Sequence, residues 1–333
     1  MRNVPDLAVV SIFKDEAAYL DEWLKFHRAQ GVAHFYLYNN GSTDNYVQSL
    51  EAHRAYVTLI DWAIPFAEKG QQRSIAHAIH TFGERHDWLA VFDIDEFLFS
   101  PGRLIPEALS LVHDADLILV NTIFYGTSGL DRVPVGKLLE TLVHRSPLSW
   151  SRNRQRKSIF RASVVVGLEP YLDPTGVNHD GGSLLIHEPL VRDTARVVNG
   201  DGVATVSLQN RAAKAQEGER VKQPIVRRVL RRIKSWLMKV IKNSPRLHYV
   251  AARWFWRWVP LWDTNIASYG GVSLFRINHY GIRSASEFRD KQRRFLGTHL
   301  QHRYSEAYFR YHDRNEVFDP VLRGSHRTTD SRS

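Results

Sequence analysis

The sequence predicts an α/β protein with a mostly parallel central sheet flanked by helices. Strand-length apolar runs alternate with helix-length amphipathic segments from Ala8 to Val120. Residues suited to turns and caps separate them. Polar clusters follow three of the runs at equivalent places, as expected where strands deliver side chains to one edge of a sheet.

The first strand is read at Ala8–Phe13 and the first helix from about Glu16 to Gln30. Leu20, Trp23, Leu24 and His27 fall at intervals of three and four, and Gly31 is placed to end the helix. Phe35–Tyr38 is the next strand, stopped by Asn39-Asn40-Gly41-Ser42-Thr43-Asp44. Val57–Ile60 is the third. A helix over Gln71–Glu84 precedes the fourth, Trp88–Phe92, and Leu117–Val120 adds another. This β-α-β-β-α-β order brings Lys14-Asp15-Glu16, Asn39 to Asp44 and Asp93-Ile94-Asp95-Glu96 to the carboxyl ends of their strands, where one crevice could hold all three.

Composition narrows the chemistry. The 333 residues contain no cysteine, which excludes disulfides, thiolate metal sites and a cysteine nucleophile, and suits a reducing compartment. Leu7–Phe13 is too short for the apolar part of a signal peptide, and no run of 18 apolar residues predicts a spanning helix. The net charge of +10 is local: Arg220–Arg257 holds twelve Lys or Arg and no Asp or Glu, leaving a near-neutral body. Nucleic acid is therefore not the expected partner.

Asp93 and Asp95 lie between the apolar runs Trp88–Phe92 and Phe97–Phe99. Carboxylates embedded between core segments need metal, hydrogen-bond or cationic partners. An Asp-x-Asp pair suits a hard divalent cation bridging to phosphates, here Mn²⁺ or Mg²⁺. Asp15 and Glu16 read equally as nucleotide contacts or as caps of the first helix. Asn39, Asn40 and Asp44 either line a nucleotide pocket or build their turn, with Asp44 the one expected to face a ligand. The G-x-G-x-x-G and G-x-x-x-x-G-K-[ST] signatures are absent, which weakens dehydrogenase and P-loop readings.

Val10-Ser11-Ile12-Phe13-Lys14-Asp15-Glu16, Glu22-Trp23-Leu24, Phe35 to Asp44 and Phe92-Asp93-Ile94-Asp95-Glu96-Phe97 together resemble the family 2-like and family 92-like glycosyltransferases. Lys157-Ser158-Ile159-Phe160-Arg161, Ile277-Asn278-His279-Tyr280 and Ser284-Ala285-Ser286-Glu287-Phe288 with Lys291 are similar to later blocks of family 92. The resemblance implies a GT-A type fold and an inverting, metal-dependent hexosyl transfer from a nucleotide sugar, often a UDP-hexose such as galactose or glucose. It implies a metal site at Asp93, Asp95 and His279, with Asp95 the more direct ligand, and a phosphate contact at Lys157. A satisfied core histidine is the rival reading of His279.

Inverting transfer needs a general base near the acceptor hydroxyl. Asp180, in the glycine-rich stretch Val177–Gly182, is the first choice; Glu169, Asp173 and Glu188 are alternatives. His179 and His187 could contact phosphate or acceptor, or bond within their loops.

Apolar residues recur at helical spacing from Ile225 to Ile241 among seven Lys or Arg of residues 227–242, and four tryptophans fall within Trp254–Trp262. Residues 224–262 are expected to dock on an anionic membrane face, or else to pack their apolar side on the body. The chain thus divides into a catalytic core (1–215), the basic Trp-rich segment (216–263), a part completing the core (264–322) and a polar tail (323–333). The expected protein works in the cytoplasm or on the inner face of the cytoplasmic membrane, on a glycan or glycolipid of the envelope, as in polysaccharide or lipopolysaccharide synthesis. Two rival readings are a nucleotidyltransferase and a non-catalytic binding module on the same fold.

Overall fold

The computed structural model describes residues 4–65, 68–172, 187–205, 271–294 and 305–325. They belong to one compact unit formed by 1–206 and 269–333. The basic and Trp-rich segment, Asp173, His179 and Asp180 lie outside the described residues.

Strand β1 (Leu7–Phe13) leads into helix α1 (Ala17–Ala29), β2 (His34–Asn39), the short α2 (Tyr46–Leu50) and β3 (Val57–Asp61). Helix α3 (Gly70–Phe82) precedes β4 (Trp88–Val91), β5 (Glu96–Phe99), α4 (Ile105–Leu111) and β6 (Leu117–Phe124). The remainder contributes α5 (Leu138–Thr141), β7 (His144–Arg145), β8 (Arg156–Phe160), α6 (Glu169–Leu172) and β9 (Val197–Asn199). After residue 270 come β10 (Arg276–His279), α7 (Ala285–Arg294), α8 (Glu306–His312) and β11 (Val317–Phe318). Gly31 ends the first helical segment at φ +93°, a conformation that a side chain would disfavour.

Among the described residues the main sheet runs β3-β2-β1-β4-β8-β6-β10-β5, with β9 beside β6. Only β8 and β5 oppose the other strands, so the expected mostly parallel sheet is what forms. The sequence reading did not foresee β8, which separates β6 from β4 and pairs antiparallel with both. Nor did it foresee β10, a segment from far downstream that inserts between β6 and β5.

Successive residues of a strand point to opposite faces. Leu7 and Val9 join Leu20, Trp23 and Leu24 of α1, with Ile105 and Leu109 of α4, in one apolar layer. Ala8 and Val10 join Ile75, Ala76 and Ile79 of α3 in the other. Both faces are therefore covered, which is why the strands read as continuous apolar runs.

The outer edge of β5 is satisfied by side chains. The Trp23 indole N–H donates to the Glu96 carbonyl at 2.8 Å. Buried His27 donates through Nδ1 to the Trp23 carbonyl at 2.8 Å and accepts the Leu98 N–H through Nε2 at 3.0 Å. Helix α1 thus closes the sheet edge directly below the Asp93–Asp95 turn.

Candidate active site

The carboxyl ends of β1, β2 and β4 open onto a cleft of about 320 Å³ lined by Lys14, Glu16, Asn40, Asp93, Asp95 and His279, with Gln71 and apolar residues between them. A turn closed by the Glu96 N–H on the Asp93 carbonyl (3.1 Å) carries Asp93 and Asp95 out of β4. His279 arrives from the distant β10, where it faces Glu96 across the antiparallel pair and Phe124 across the parallel one. The Tyr280 N–H donates to the Asp95 carbonyl at 2.8 Å and ties that strand end to the turn.

The two aspartates have different surroundings. Asp93 accepts from Lys157 Nζ at 2.7 Å and from Gln71 Nε2 at 3.2 Å. The same ammonium lies 3.1 Å from Glu96, whose carboxylate also accepts the Asp93 N–H at 3.0 Å. Asp95 faces His279 instead, with Oδ2 and Nε2 3.5 Å apart. Burial alone would raise the Asp95 carboxyl, but the charges of His279, Arg283 and Lys291 outweigh it and hold the group well below the usual carboxylate range. Burial would likewise lower His279, and Asp95 with Glu96 reverses this, so its imidazole is raised. Burial dominates at Glu96 and raises it.

Asp95 Oδ2 and His279 Nε2 are spaced as two donors of one ion. Ligands about 2.1 Å from a shared cation stand roughly 3 Å apart when they subtend a right angle, close to the observed span. Gly281 leaves this nitrogen room: a Cβ there would lie 2.9 Å from Nε2. The His279 Nδ1 is buried without a hydrogen bond and has Glu96 Oε1 3.8 Å away, a carboxylate placed to orient the ring. These residues therefore fit a divalent cation. Among the described residues no three His, Asp or Glu side chains form a ready metal cluster. Asp93 lines the same cleft as Asp95 and His279, and its carboxylate is bound to Lys157.

Other expected site residues are committed to the loops themselves. Asp15, at φ +55°, accepts the Thr43 N–H at 2.8 Å, and its own N–H donates to Ser42 Oγ at 3.0 Å. Asp44 caps the start of α1 by accepting the Ala17 N–H at 2.8 Å. Asn39 accepts the Ser42 N–H and donates to Asp61 and Tyr46. None of the three lines the cleft, whereas Asn40, Lys14 and Glu16 do. Asn40 is held there by donating to the Trp62 and Ile64 carbonyls, both at 2.8 Å. Lys157, expected to reach a phosphate, is only 4% exposed and bound to the two carboxylates. Among the candidate bases, Glu188 is buried and does not line the cleft, and Glu169 opens α6. His187 donates from Nδ1 to the Arg156 carbonyl, and burial lowers its pKa.

Sequence reasoning missed Arg283. Its guanidinium donates to Glu16 at 2.6 Å and stacks 3.8 Å from the Tyr19 ring centroid, while Tyr19 is hydrogen-bonded to Glu287. The segment after β10 thereby fixes Glu16 at the mouth of the cleft. Arg283 directly precedes the Ser284–Phe288 block, and no periodicity singles it out.

The mostly parallel sheet with a cleft at its carboxyl edge is the arrangement expected of a GT-A type fold. Residues 8–169 match the model of glycosyltransferase family 92. Curated family 92 proteins are similar to it: one from Oryza sativa subsp. japonica is 31% identical over 105 residues, 31% of this chain and 18% of that protein. One from Arabidopsis thaliana is 31% identical over 144 residues, covering 39% and 24% of the two chains. One from Ricinus communis is 23% identical over 240 residues, covering 69% and 39%. The matches thus span under two fifths of these relatives' own lengths. Among solved structures, Staphylococcus aureus TarS 1–349 overlaps at a TM-score of 0.33 and 14% identity over 59% of this chain and 60% of that one. A glucosyl-3-phosphoglycerate synthase from Mycobacterium tuberculosis, in complex with Mn²⁺, UDP and glucosyl-3-phosphoglycerate, overlaps at 0.30 and 15% over 64% and 76%. These overlays are too loose to carry substrate or mechanism to this chain.

Proposed function

We propose that the protein is a metal-dependent, inverting hexosyltransferase that uses a UDP-sugar, galactose or glucose, and a glycan or glycolipid acceptor of the cell envelope. One observation carries this reading: Lys14, Glu16 and Asn40 from the first two strand ends meet Asp93, Asp95 and His279 in one cleft. Asn40 and Lys14 would receive the nucleotide, with Lys14 adding positive charge toward the diphosphate. Asp95 and His279 would hold Mn²⁺ or Mg²⁺, which when bound screens the diphosphate and stabilises the departing nucleotide. A carboxylate opposite the leaving group takes the proton of the acceptor hydroxyl as its oxygen bonds to the anomeric carbon and the carbon–phosphate-oxygen bond breaks. Asp180 is the proposed base, with Asp173 and Glu169 as alternatives; the burial of Glu188 makes it the weakest of the four.

Hydrolysis of a nucleotide-sugar panel with Mn²⁺ or Mg²⁺ tests this, beside Asp95→Ala. The expected result is slow turnover of one UDP-hexose by the wild type and at least a hundredfold loss in the variant. Equal turnover by both would overturn the metal assignment, and no donor binding at all would overturn the transferase reading.

Residues 224–262 would bring this site to an anionic membrane surface. Among the described residues no helix is long and apolar enough to cross a membrane. Flotation with anionic liposomes is expected for the full chain and not for a folded variant lacking 224–262; equal flotation would count against docking by this segment.

A further inference from the structure

Strand order gives the cleft two sides. Lys14 and Asn40 follow β1 and β2, on one side of the β4 turn that bears the aspartates, while β8, β6 and β10 continue the sheet on the other. At the end of β6, Phe124 pairs with His279, and its ring lies 4.4 Å from the imidazole. An aromatic shelf extends from there. Trp150 meets Phe124 edge-on at 5.4 Å, and Tyr311 and His312 of α8 lie 5.4 and 5.8 Å from the Trp150 ring. No step of the proposed transfer uses these three side chains.

Two loops hold the shelf in place. Buried Asn153 accepts the Phe124 N–H at 3.1 Å and donates to the Pro147 carbonyl at 2.8 Å, which ties the Trp150 loop to β6. Just beyond α8, Asp313 and Asn315 accept the Thr127 and Ser128 N–H groups at 2.6 and 2.8 Å. Gly126 permits this approach, since a Cβ there would collide with Asn315 Oδ1.

The polar atoms of the shelf are not used up by the fold. The Tyr311 hydroxyl is buried without a hydrogen-bond partner, an arrangement that weakens a fold unless a ligand supplies the bond. His312 donates from Nδ1 to the Tyr308 carbonyl at 3.0 Å, so Nε2 keeps the lone pair of the ring. Burial, with Arg152, His279 and Arg314 nearby, pushes this imidazole down to about 4, and it stays neutral at pH 7. Trp150, between them, is partly exposed. An indole face, a hydroxyl and an imidazole acceptor suit a ligand with an apolar face and hydroxyls around its rim. A pyranose ring has both.

We propose that Trp150, Tyr311 and His312 form a sugar-binding subsite that takes a pyranose unit of the acceptor, with its C–H face on Trp150 and its hydroxyls on Tyr311 and on His312 Nε2. Phe124 spans the distance from this sugar to His279, so acceptor and nucleotide approach the aspartate turn from opposite sides. That the bound sugar is the acceptor rests on the transferase reading above; that the shelf binds a sugar does not.

Saturation-transfer difference NMR on the full chain tests this, with methyl β-D-galactopyranoside and methyl β-D-glucopyranoside as probes and UDP with Mn²⁺ measured separately. At least one glycoside is expected to show saturation concentrated on the ring protons of one face. Tyr311→Phe removes only the unpartnered hydroxyl. It should weaken that glycoside roughly fivefold to tenfold, the worth of one hydrogen bond, while leaving the melting temperature unchanged or higher. His312→Asn keeps a donor where Nδ1 stands and removes Nε2, with a similar loss expected, and Trp150→Ala should abolish the signal. UDP binding should stay within about twofold of wild type in every folded variant.

Silence of both glycosides with wild type would overturn the proposal, as would wild-type glycoside binding by Tyr311→Phe and His312→Asn. Parallel losses of glycoside and UDP would mark the shelf as structural support and overturn it too. Should Trp150→Ala fail to fold, Tyr311→Phe decides, because it takes nothing from the packing. A wild type that binds a glycoside but no UDP-sugar would refute the transferase reading and leave the sugar site standing; the reverse result would refute the sugar site alone.

Discussion

At the scale of single residues, identical chemistry diverges according to what lies behind it. Asp93 and Asp95 share a turn, yet one is bound to an ammonium and the other faces an imidazole. His27 and His279 show the same divergence. His27 is fully buried among aromatic rings, and burial pushes its pKa down to about 3. Its folded-state pKa is below the unfolded value near 6.5, so the unfolded chain binds the extra proton first as pH falls. The stability that neutral His27 contributes is complete above about pH 6.5 and is lost progressively as pH drops toward 3, at up to about 1.4 kcal/mol per unit. His27→Phe cannot titrate, but it strands the Leu98 N–H and should cost about 1–3 kcal/mol at pH 7.5. Urea midpoints are expected to show the gap to wild type narrowing between pH 6.5 and 4.5. Parallel stability curves would refute this role for His27.

At the scale of elements, α1 does more than cover a sheet face. Its apolar stripe buries Leu20, Trp23 and Leu24 against β1 and β2, while Trp23 and His27 take up the free backbone edge of β5. The turn bearing both aspartates lies between β4 and this secured edge, so the helix fixes where the carboxylates point. Trp23→Phe keeps most of the apolar contact and removes only the indole N–H, leaving the Glu96 carbonyl without its partner. A loss of about 1–3 kcal/mol is expected in chemical denaturation. Hydrogen exchange in residues 93–99 should rise more than in β1; a uniform rise would argue for general loosening rather than a freed edge.

At the scale of the whole molecule, the fold is completed from the far end of the chain. β10 sits between β6 and β5, and its Arg276 converges with Arg145 on Asp319. Arg283 reaches back to Glu16, so segments from opposite ends of the sequence meet at the cleft. A chain ending at Thr205 would expose the facing edges of β6 and β5 and lack His279 and Arg283. It is expected to melt without a cooperative transition and with little near-ultraviolet circular dichroism. Cooperative melting of that chain would show that the part up to Thr205 forms an independent folding unit.

Local pattern was sufficient for β1 to β4, α1 and α3. A strand buried on both faces and a helix with one apolar stripe each announce themselves over a short stretch of chain, and predicted and observed bounds differ by a position or two at most. The Asp-x-Asp turn was legible too, because charge between two apolar runs demands a partner. The identity of that partner was not legible, and for Asp15, Asn39 and Asp44 the sequence offered both a ligand contact and a loop bond without choosing between them. Lys157 and His279 are remote in sequence from the aspartates they meet, and β8 and β10 are too short to carry a period that assigns their neighbours. The sequence by itself determined that carboxylates would end the fourth strand of an α/β sheet. Only the tertiary structure decided which carboxylate is neutralised by a lysine and which faces a histidine, because strand pairing sets those contacts and no local propensity encodes them.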